Sequence, residues 1–404
     1  MDLVNVGPED AAPPDRRSPR GDADPPPESG RRLLFFSGGT ALRELSQHLV
    51  DRTHNSIHLV TPFDSGGSSA TLREAFGMPA VGDLRNRLLA LADRSVFGHP
   101  ETCALLASRF HPDLDPPGSR DRLRGIIDGN DPAVLAMPQS LAGVVRRELD
   151  AFARAMPAHF DLRGASVGNL VLAGAYLRNG RRLAQALALF AHLVEARGTV
   201  RPVLEDDLHL KALLADGTEV VGQHLLTGGR IPPGGPRIRR LALVEGRRPA
   251  VEVRPHVSQE IARLIASAEL ICYPFGSFYT SLVAALLPEG VTRALAATDV
   301  PKVYVPNPGH DPEEGGMSLT EKVEVLLGYL ERNSGTRTPV PLLLSHVLVD
   351  RRGAGIDDGE VAAVEELGLR VIDAPILEPG AGGGGVHPVV APGPVLDILT
   401  ALCG

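Results

Sequence analysis

Val60-Thr61-Pro62-Phe63-Asp64-Ser65-Gly66-Gly67-Ser68-Ser69 decides how the chain is read. An apolar run, Ser56 to Val60, enters a turn rich in Gly and Ser, and Ala70-Thr71-Leu72-Arg73-Glu74 then starts a helical pattern. Gly66 and Gly67 let backbone approach a ligand without a Cβ in the way. Ser68 and Ser69 sit where free N–H groups and the helix dipole favour an anion. Asp64 is the discordant residue, because a carboxylate repels a phosphate unless a cation lies between them. The expectation is a diphosphate held with Mg²⁺ at Asp64; the plain alternative is a capped loop.

The same layout recurs along the chain. Arg32 to Phe36 is a short buried-strand run, followed by Ser37-Gly38-Gly39-Thr40 and then Leu42, Leu45 and Leu49 at helical spacing. Gly82-Asp83-Leu84-Arg85-Asn86-Arg87 opens another helix, in which Asp83 suits a cap while Arg85 and Asn86 suit phosphate and a base or sugar edge. Ser166-Val167-Gly168-Asn169 begins a long apolar helix, where Asn169 either caps or contacts a ligand. Leu270 to Tyr273 is a buried strand followed by Pro274-Phe275-Gly276-Ser277-Phe278-Tyr279-Thr280-Ser281, four hydroxyls around one glycine. Lys302 to Pro306 is a strand that ends at Asn307, with a helix at Leu319–Leu330, strands at Leu342–Val349 and Leu369–Ile372 and a closing helix at Val395–Leu402 beyond it. This alternation predicts an α/β chain with a doubly wound, mostly parallel sheet, and puts the polar turns after strands, where such sheets bind ligands.

Two stretches interrupt the alternation. Residues 94–160 read as a helical insertion. Residues 205–245 read as a small β-hairpin excursion, Leu208–Leu214 and Thr218–Leu225 around Asp216-Gly217, with a further strand at Ile238–Val244. Residues 1–30 are Pro-rich with little to bury, which predicts a disordered tail and a folded part over 31–404. His99, His111 and His159 lack metal-ligand spacing, and His387 reads as a structural residue, with a catalytic acid or base as the alternative.

Composition bounds the function. The 404 residues are 43% apolar and 22% charged, with a net charge of −8. That balance argues against nucleic acid or an anionic membrane as partner. Cys103, Cys272 and Cys403 are scattered, which points to a reducing compartment. No apolar run approaches the roughly 20 residues of a membrane span, and the N-terminus lacks a basic region followed by an apolar one. The expectation is a cytoplasmic protein, with a homodimer left open.

Gly38-Gly39-Thr40, Asp64 to Ser69, Gly82 to Asn86, Gly168-Asn169-Leu170, Gly276 to Ser281, Val303 to Asn307 and Gly385-Val386-His387-Pro388 stand in the order of the 2-phospho-L-lactate transferase (CofD-like) family. Together they resemble it over roughly residues 31 to 404. The resemblance implies a Rossmann-like fold and, in enzyme members, transfer of a phospholactyl group from a guanosine diphosphate donor to a deazaflavin with Mg²⁺. It implies Asp64 at the metal, with Asn86 beside it in the reaction. Gly38, Gly39, Thr40, Gly66, Gly67, Ser68, Ser69, Asp83 and Arg85 would hold the nucleotide or its phosphates. Asn169, Gly276, Ser277, Tyr279, Thr280, Ser281 and Asn307 would line the rest of the cleft. The branch it suggests is the bacterial CofD-like group of the GAK system, found with ATP-grasp and kinase-like partners. Many relatives have two adjacent Asp residues where this chain has Asp64-Ser65, and Gly-Pro-Gly where it has Pro274-Phe275-Gly276. The implied ligand is a nucleoside diphosphate derivative or a nucleotide-sugar, either turned over or merely sensed by a regulatory protein. A plain dinucleotide dehydrogenase fits worst, because the G-x-G-x-x-G fingerprint is missing.

Overall fold

The computed structural model describes residues 26–227, 235–309, 311–332, 338–378 and 388–404. Residues 1–25 of the expected tail, and Gly382 to His387, lie outside the described residues.

Strands β1 (Leu33–Ser37), β2 (Ile57–Val60), β3 (Thr199–Pro202), β8 (Leu270–Tyr273), β9 (Lys302–Tyr304), β10 (His346–Val349) and β11 (Arg370–Asp373) form one parallel sheet in the order β11-β10-β9-β8-β1-β2-β3. The chain runs outward from β1 through β2 to β3, then crosses to β8 and runs outward the other way. The crossing makes β1 and β8 the switch point, and the crevice beyond their carboxyl ends is the expected ligand position of a Rossmann-like fold.

The period of two in β1 explains its layers. Leu34 and Phe36 face one core with Ile57 and Leu59 of β2, while Leu33 and Phe35 face another with Leu42, Leu45 and Leu49. The first core is covered by a four-stranded antiparallel sheet, ordered β5-β4-β6-β7, of β4 (His209–Leu214), β5 (Glu219–Val221), β6 (Ile238–Glu245) and β7 (Val251–Val253). Leu210, Ala212, Leu241 and Leu243 supply its inner face. The excursion is thus larger than a hairpin and reaches Val253.

Between β2 and β3 the chain inserts helices, including Gly67–Phe76, Gly82–Ala90, Pro100–Ala107, Pro116–Asp128, Gln139–Ala155, Val167–Arg178 and Leu183–Leu193. They build a core of their own with Val60 and Val200. The helix Val167–Arg178 is buried almost all round, and a Cβ on Gly174 would lie 1.9 Å from the Glu148 carbonyl oxygen. That contact shows how closely Gln139–Ala155 crosses it.

Three expectations are adjusted. The apolar run Leu342–Val349 is not one strand: Val340–Leu343 is a helical turn after Pro339, and pairing starts at His346. Strand β3 was not foreseen. Ordered chain also begins before position 31: Pro27–Ser29 forms a 3-10 turn, and Asn55 Nδ2 donates to the carbonyls of Glu28 and Gly30 at 2.9 Å each.

Candidate functional site

The turn after β1 and the turn after β8 meet. A Cβ on Gly38 would lie 2.7 Å from Thr61 Oγ1 and 2.9 Å from Ser281 Oγ, so the three turns following β1, β2 and β8 converge where only a glycine fits. Gly39 has φ 53°, and its N–H donates to the Asp83 carboxylate. Gly276, at φ 138°, lies against Ala41 on the other side of the same crevice. Residues 38–40 and 276–281 thus share one crevice despite their separation in sequence.

Asp64 stands on the β2 side of it. Its Oδ1 accepts from Gly66 N at 2.9 Å, a local turn that fixes the carboxylate. Its Oδ2 lies 3.4 Å from where a Cβ on Gly82 would be, and Ser69 Oγ lies 2.6 Å from that point, so Gly82 admits the loop against the next helix. Asp83 therefore follows directly on the backbone that Asp64 touches. Burial, and next the Asp64 charge, push the Asp83 carboxyl up to about 6. The Asp64 charge thus reaches the Asp83 carboxyl.

Ser65, where many relatives have a second Asp, turns away: its Oγ is 2.7 Å from His224 Nδ1 and also accepts from His224 N. Asp83 supplies the second carboxylate from another element. Arg73, unforeseen from sequence, fixes the loop from behind. Its guanidinium is buried, donates to the carbonyls of Asp64 and Phe63, and pairs with Asp207. The signal was present, since Arg73 falls on the buried stripe of its helix with Ser69, Leu72 and Phe76.

Asn169 is buried, and its Oδ1 makes no hydrogen bond, while its Nδ2 donates to Ser68 Oγ at 3.3 Å. Its N–H is capped by Ser166 Oγ at 3.4 Å. An unpaired buried amide oxygen costs ~1–3 kcal/mol and points to a missing partner. Among the described residues no three His, Cys, Asp or Glu side chains gather as a metal-holding group. The oxygen donors at this place are two carboxylates, joined nearby by an amide oxygen, and hard oxygen donors of this kind fit Mg²⁺.

Arg85 crosses the first turn of its helix. It donates to Ser166 Oγ and to Asn86 Oδ1, and its stem rests on Gly168, where a Cβ would be 2.8 Å from Arg85 Cδ. Asn86, Gly39 and Thr40 line a cavity of about 640 Å³ that opens beyond Arg85.

The β8 side differs from expectation in its bonding. Phe278–Val283 is a π-helix whose first N–H groups are taken within the protein. Phe278 N donates to Asp311 Oδ2 at 2.8 Å, and Tyr279 N and Thr280 N donate to Glu313 Oε2 at 2.9 and 2.8 Å. The Thr280 hydroxyl donates to Glu313 Oε1 and the Tyr279 hydroxyl to the Ile238 carbonyl. Asn307 spends its amide on the Gly276 carbonyl and on Gly309 N. Ser281 reaches Gly38, and Ser277 and Gly276 stay partly open. Gly66, Gly67 and Ser68 are also partly or fully exposed at the start of Gly67–Phe76.

The family model for 2-phospho-L-lactate transferase CofD matches residues 33–377. The chain belongs to that family. Similar proteins include a putative gluconeogenesis factor of Nostoc, 28% identical over 74% of this chain and 52% of its own length. Another, from Thermotoga maritima, is 26% identical over 86% of this chain and 90% of its own. A gluconeogenesis factor of Bacillus subtilis is 28% identical over 70% of this chain and 69% of its own. The chain spans about half the length of the Nostoc and Deinococcus radiodurans relatives, 52% and 55%. A crystal structure of a Bacillus halodurans protein superposes with a TM-score of 0.64 at 22% identity, covering 93% of this chain and 100% of that one. At that identity the likeness speaks for the fold alone. No helix among the described residues is long and apolar enough to cross a membrane.

Proposed function

We propose that this CofD-family chain binds a nucleoside diphosphate derivative with Mg²⁺ in the crevice beyond β1, β2 and β8, and transfers its phosphoryl-linked group to an acceptor. The carrying observation is the carboxylate pair Asp64 and Asp83, in which burial and the Asp64 charge raise the Asp83 carboxyl to about 6. Two carboxylates kept together are what a divalent cation relieves. The metal, when bound, neutralises the diphosphate and the departing nucleotide.

The chain's own part is positional and electrostatic. Gly38 and Gly39 let the backbone come up to the diphosphate, and Arg73 holds the Asp64 loop still. Ser68 holds the amide of Asn169 so that its free oxygen stays at the site. In the transfer, an acceptor hydroxyl oxygen attacks the outer phosphorus and the bond to the nucleoside monophosphate breaks. The hydroxyl proton passes to Asp83, whose carboxyl is raised by burial and by the Asp64 charge.

A second reading is that the same site senses a nucleotide-sugar or dinucleotide without turning it over. The relatives' name, gluconeogenesis factor, favours it. Incubation with a guanosine diphosphate derivative and Mg²⁺, followed by mass spectrometry, separates the two: released nucleoside monophosphate supports transfer, and an intact ligand supports sensing.

Asp64→Asn tests the site itself. It keeps shape and removes charge, so nucleotide affinity in Mg²⁺ should fall by about 1–3 kcal/mol. In EDTA the variant should bind as well as wild type or better. Equal Mg²⁺ dependence of the two proteins in calorimetric titrations refutes the metal role of Asp64.

A further inference from the structure

Beyond Arg85 the cavity of about 640 Å³ is walled by the helices Gly82–Ala90 and Pro100–Ala107. Its volume is that of a ligand site, typically about 300–1,000 Å³. Arg43, Arg85, Arg94 and Arg109 line it, and among the described residues none of the four makes an ion pair with a carboxylate. Arg87 also borders it but is spent internally on the Leu42 carbonyl and Ser46 Oγ. Asp93, the acidic residue in the wall, is paired with Arg197 at 2.7 Å. Arg85 is 4% exposed, and its Nε is buried without a hydrogen-bond partner. Burial, then Arg109, and more weakly Arg43, push the Arg85 guanidinium down to about 10 against the pull of Asp83 and Asp64, and burial and Arg43 lower Arg94 against Asp51. Arg109 gives one N–H to the Gly164 carbonyl, and the guanidiniums gathered here without an ion pair call for an anion in the cavity. Between the arginines the lining is apolar, with Leu89, Ala92, Ala104 and Ala107.

We infer that this cavity binds a second ligand, a phosphorylated small molecule with an apolar body, beside the nucleotide. The inference rests on the proposed nucleotide site and adds the chemical class of its neighbour. Gly39 and Thr40, in the turn after β1, line the cavity as well as the crevice, so a ligand whose phosphate is held by the four arginines can extend to where the diphosphate would lie. Guanidinium forks recognise phosphate oxygens in pairs, which sets the ligand's orientation. The ligand is therefore anionic in its own right, and the arginines serve it and not the nucleotide.

Inorganic pyrophosphate is the probe, titrated calorimetrically into the full chain in EDTA, so that the Asp64–Asp83 pair holds no cation. Wild type should bind it, and Arg94→Gln/Arg109→Gln should bind at least tenfold more weakly. Both side chains are exposed, so the fold is expected to persist, and a melting curve checks that. Arg94→Lys/Arg109→Lys, which keeps the charge, should recover much of the affinity. Guanosine diphosphate in Mg²⁺ should bind wild type and the Gln variant within twofold of each other. Pyrophosphate that binds both proteins alike, or neither, overturns the anion site. A parallel loss of guanosine diphosphate affinity overturns the second ligand, because the arginines then serve the nucleotide. The nucleotide reading fails with a different signature: no Mg²⁺-dependent binding of guanosine diphosphate to wild type, while pyrophosphate is still lost in the variant. That result removes the ligand's place beside a nucleotide.

Discussion

Asp83→Asn removes the cost of keeping the Asp83 carboxyl charged where it is buried beside Asp64. The Asp83 carboxyl rises from an ordinary 3.8 to about 6, first by burial and next by Asp64. A displacement of that size corresponds to at most ~3 kcal/mol, and because the side chain keeps some contact with water about 1–2 kcal/mol is expected. The sign follows from linkage. Below pH 3.8 the group is protonated in both folded and unfolded chains and costs nothing. As pH rises towards 6 the unfolded chain releases its proton first, so the folded state loses stability, and above that value the full cost stands. The Asn variant has no such loss. Its stability relative to wild type should therefore grow across this window and stay level at higher pH. For 404 residues, ~1 kcal/mol moves Tm by roughly 1 °C, so scanning calorimetry at matched pH values should resolve a relative gain of about 1–2 °C. Mg²⁺ should stabilise wild type at pH 7 and leave the variant nearly unmoved, since binding to the native state alone raises stability. A difference between the two proteins that is flat from pH 4 to 7, or an equal response to Mg²⁺, would refute the pair.

Gly38→Ala should drive its methyl against Thr61 Oγ1 and Ser281 Oγ, at 2.7 and 2.9 Å in the unrelaxed site. Overpacking of this kind costs ~1–3 kcal/mol, and calorimetry should show nucleotide affinity falling even where the variant folds. Gly174→Ala should be worse for folding and silent about binding, because its Cβ meets the Glu148 carbonyl oxygen at 1.9 Å. Little soluble protein, or a loss of several degrees in Tm, is expected there, and a wild-type melt would show that the two helices can part.

The sequence was most legible where one strand carried its own signal. Leu270–Tyr273 is buried at every position and bounded by Pro274, and its limits were read without error. β3 escaped because Thr199–Pro202 alternates half-buried and buried residues on a short edge ending in proline. β7 escaped for a similar reason, three residues that are partly or fully exposed. Leu342 to Val349 shows the limit of an apolar run, which reads alike as a helical turn or a strand. At the site, the meeting of the Gly38–Thr40 and Gly276–Ser281 turns followed from strand–turn–helix order alone, while the place of Thr61 between them did not. The partners of Tyr279 and Thr280 did not, because Glu313 lies 33 or more residues downstream and reaches them only through the fold. Ser65 and His224 are 159 residues apart, so no local pattern could show where that hydroxyl goes.

Glu313 and Asp311 give the crevice a handedness. By seating carboxylates on the N–H groups that open the π-helix, the protein carries an internal substitute for a bound anion on the β8 side. A phosphate arriving there would have to displace a side chain that already makes three hydrogen bonds, while on the β1 side it meets bare glycine backbone. On the proposed binding, a ligand with one charged end and one neutral end would therefore enter with its charge towards β1. The orientation of such a ligand would then be set by residues that never need to touch it.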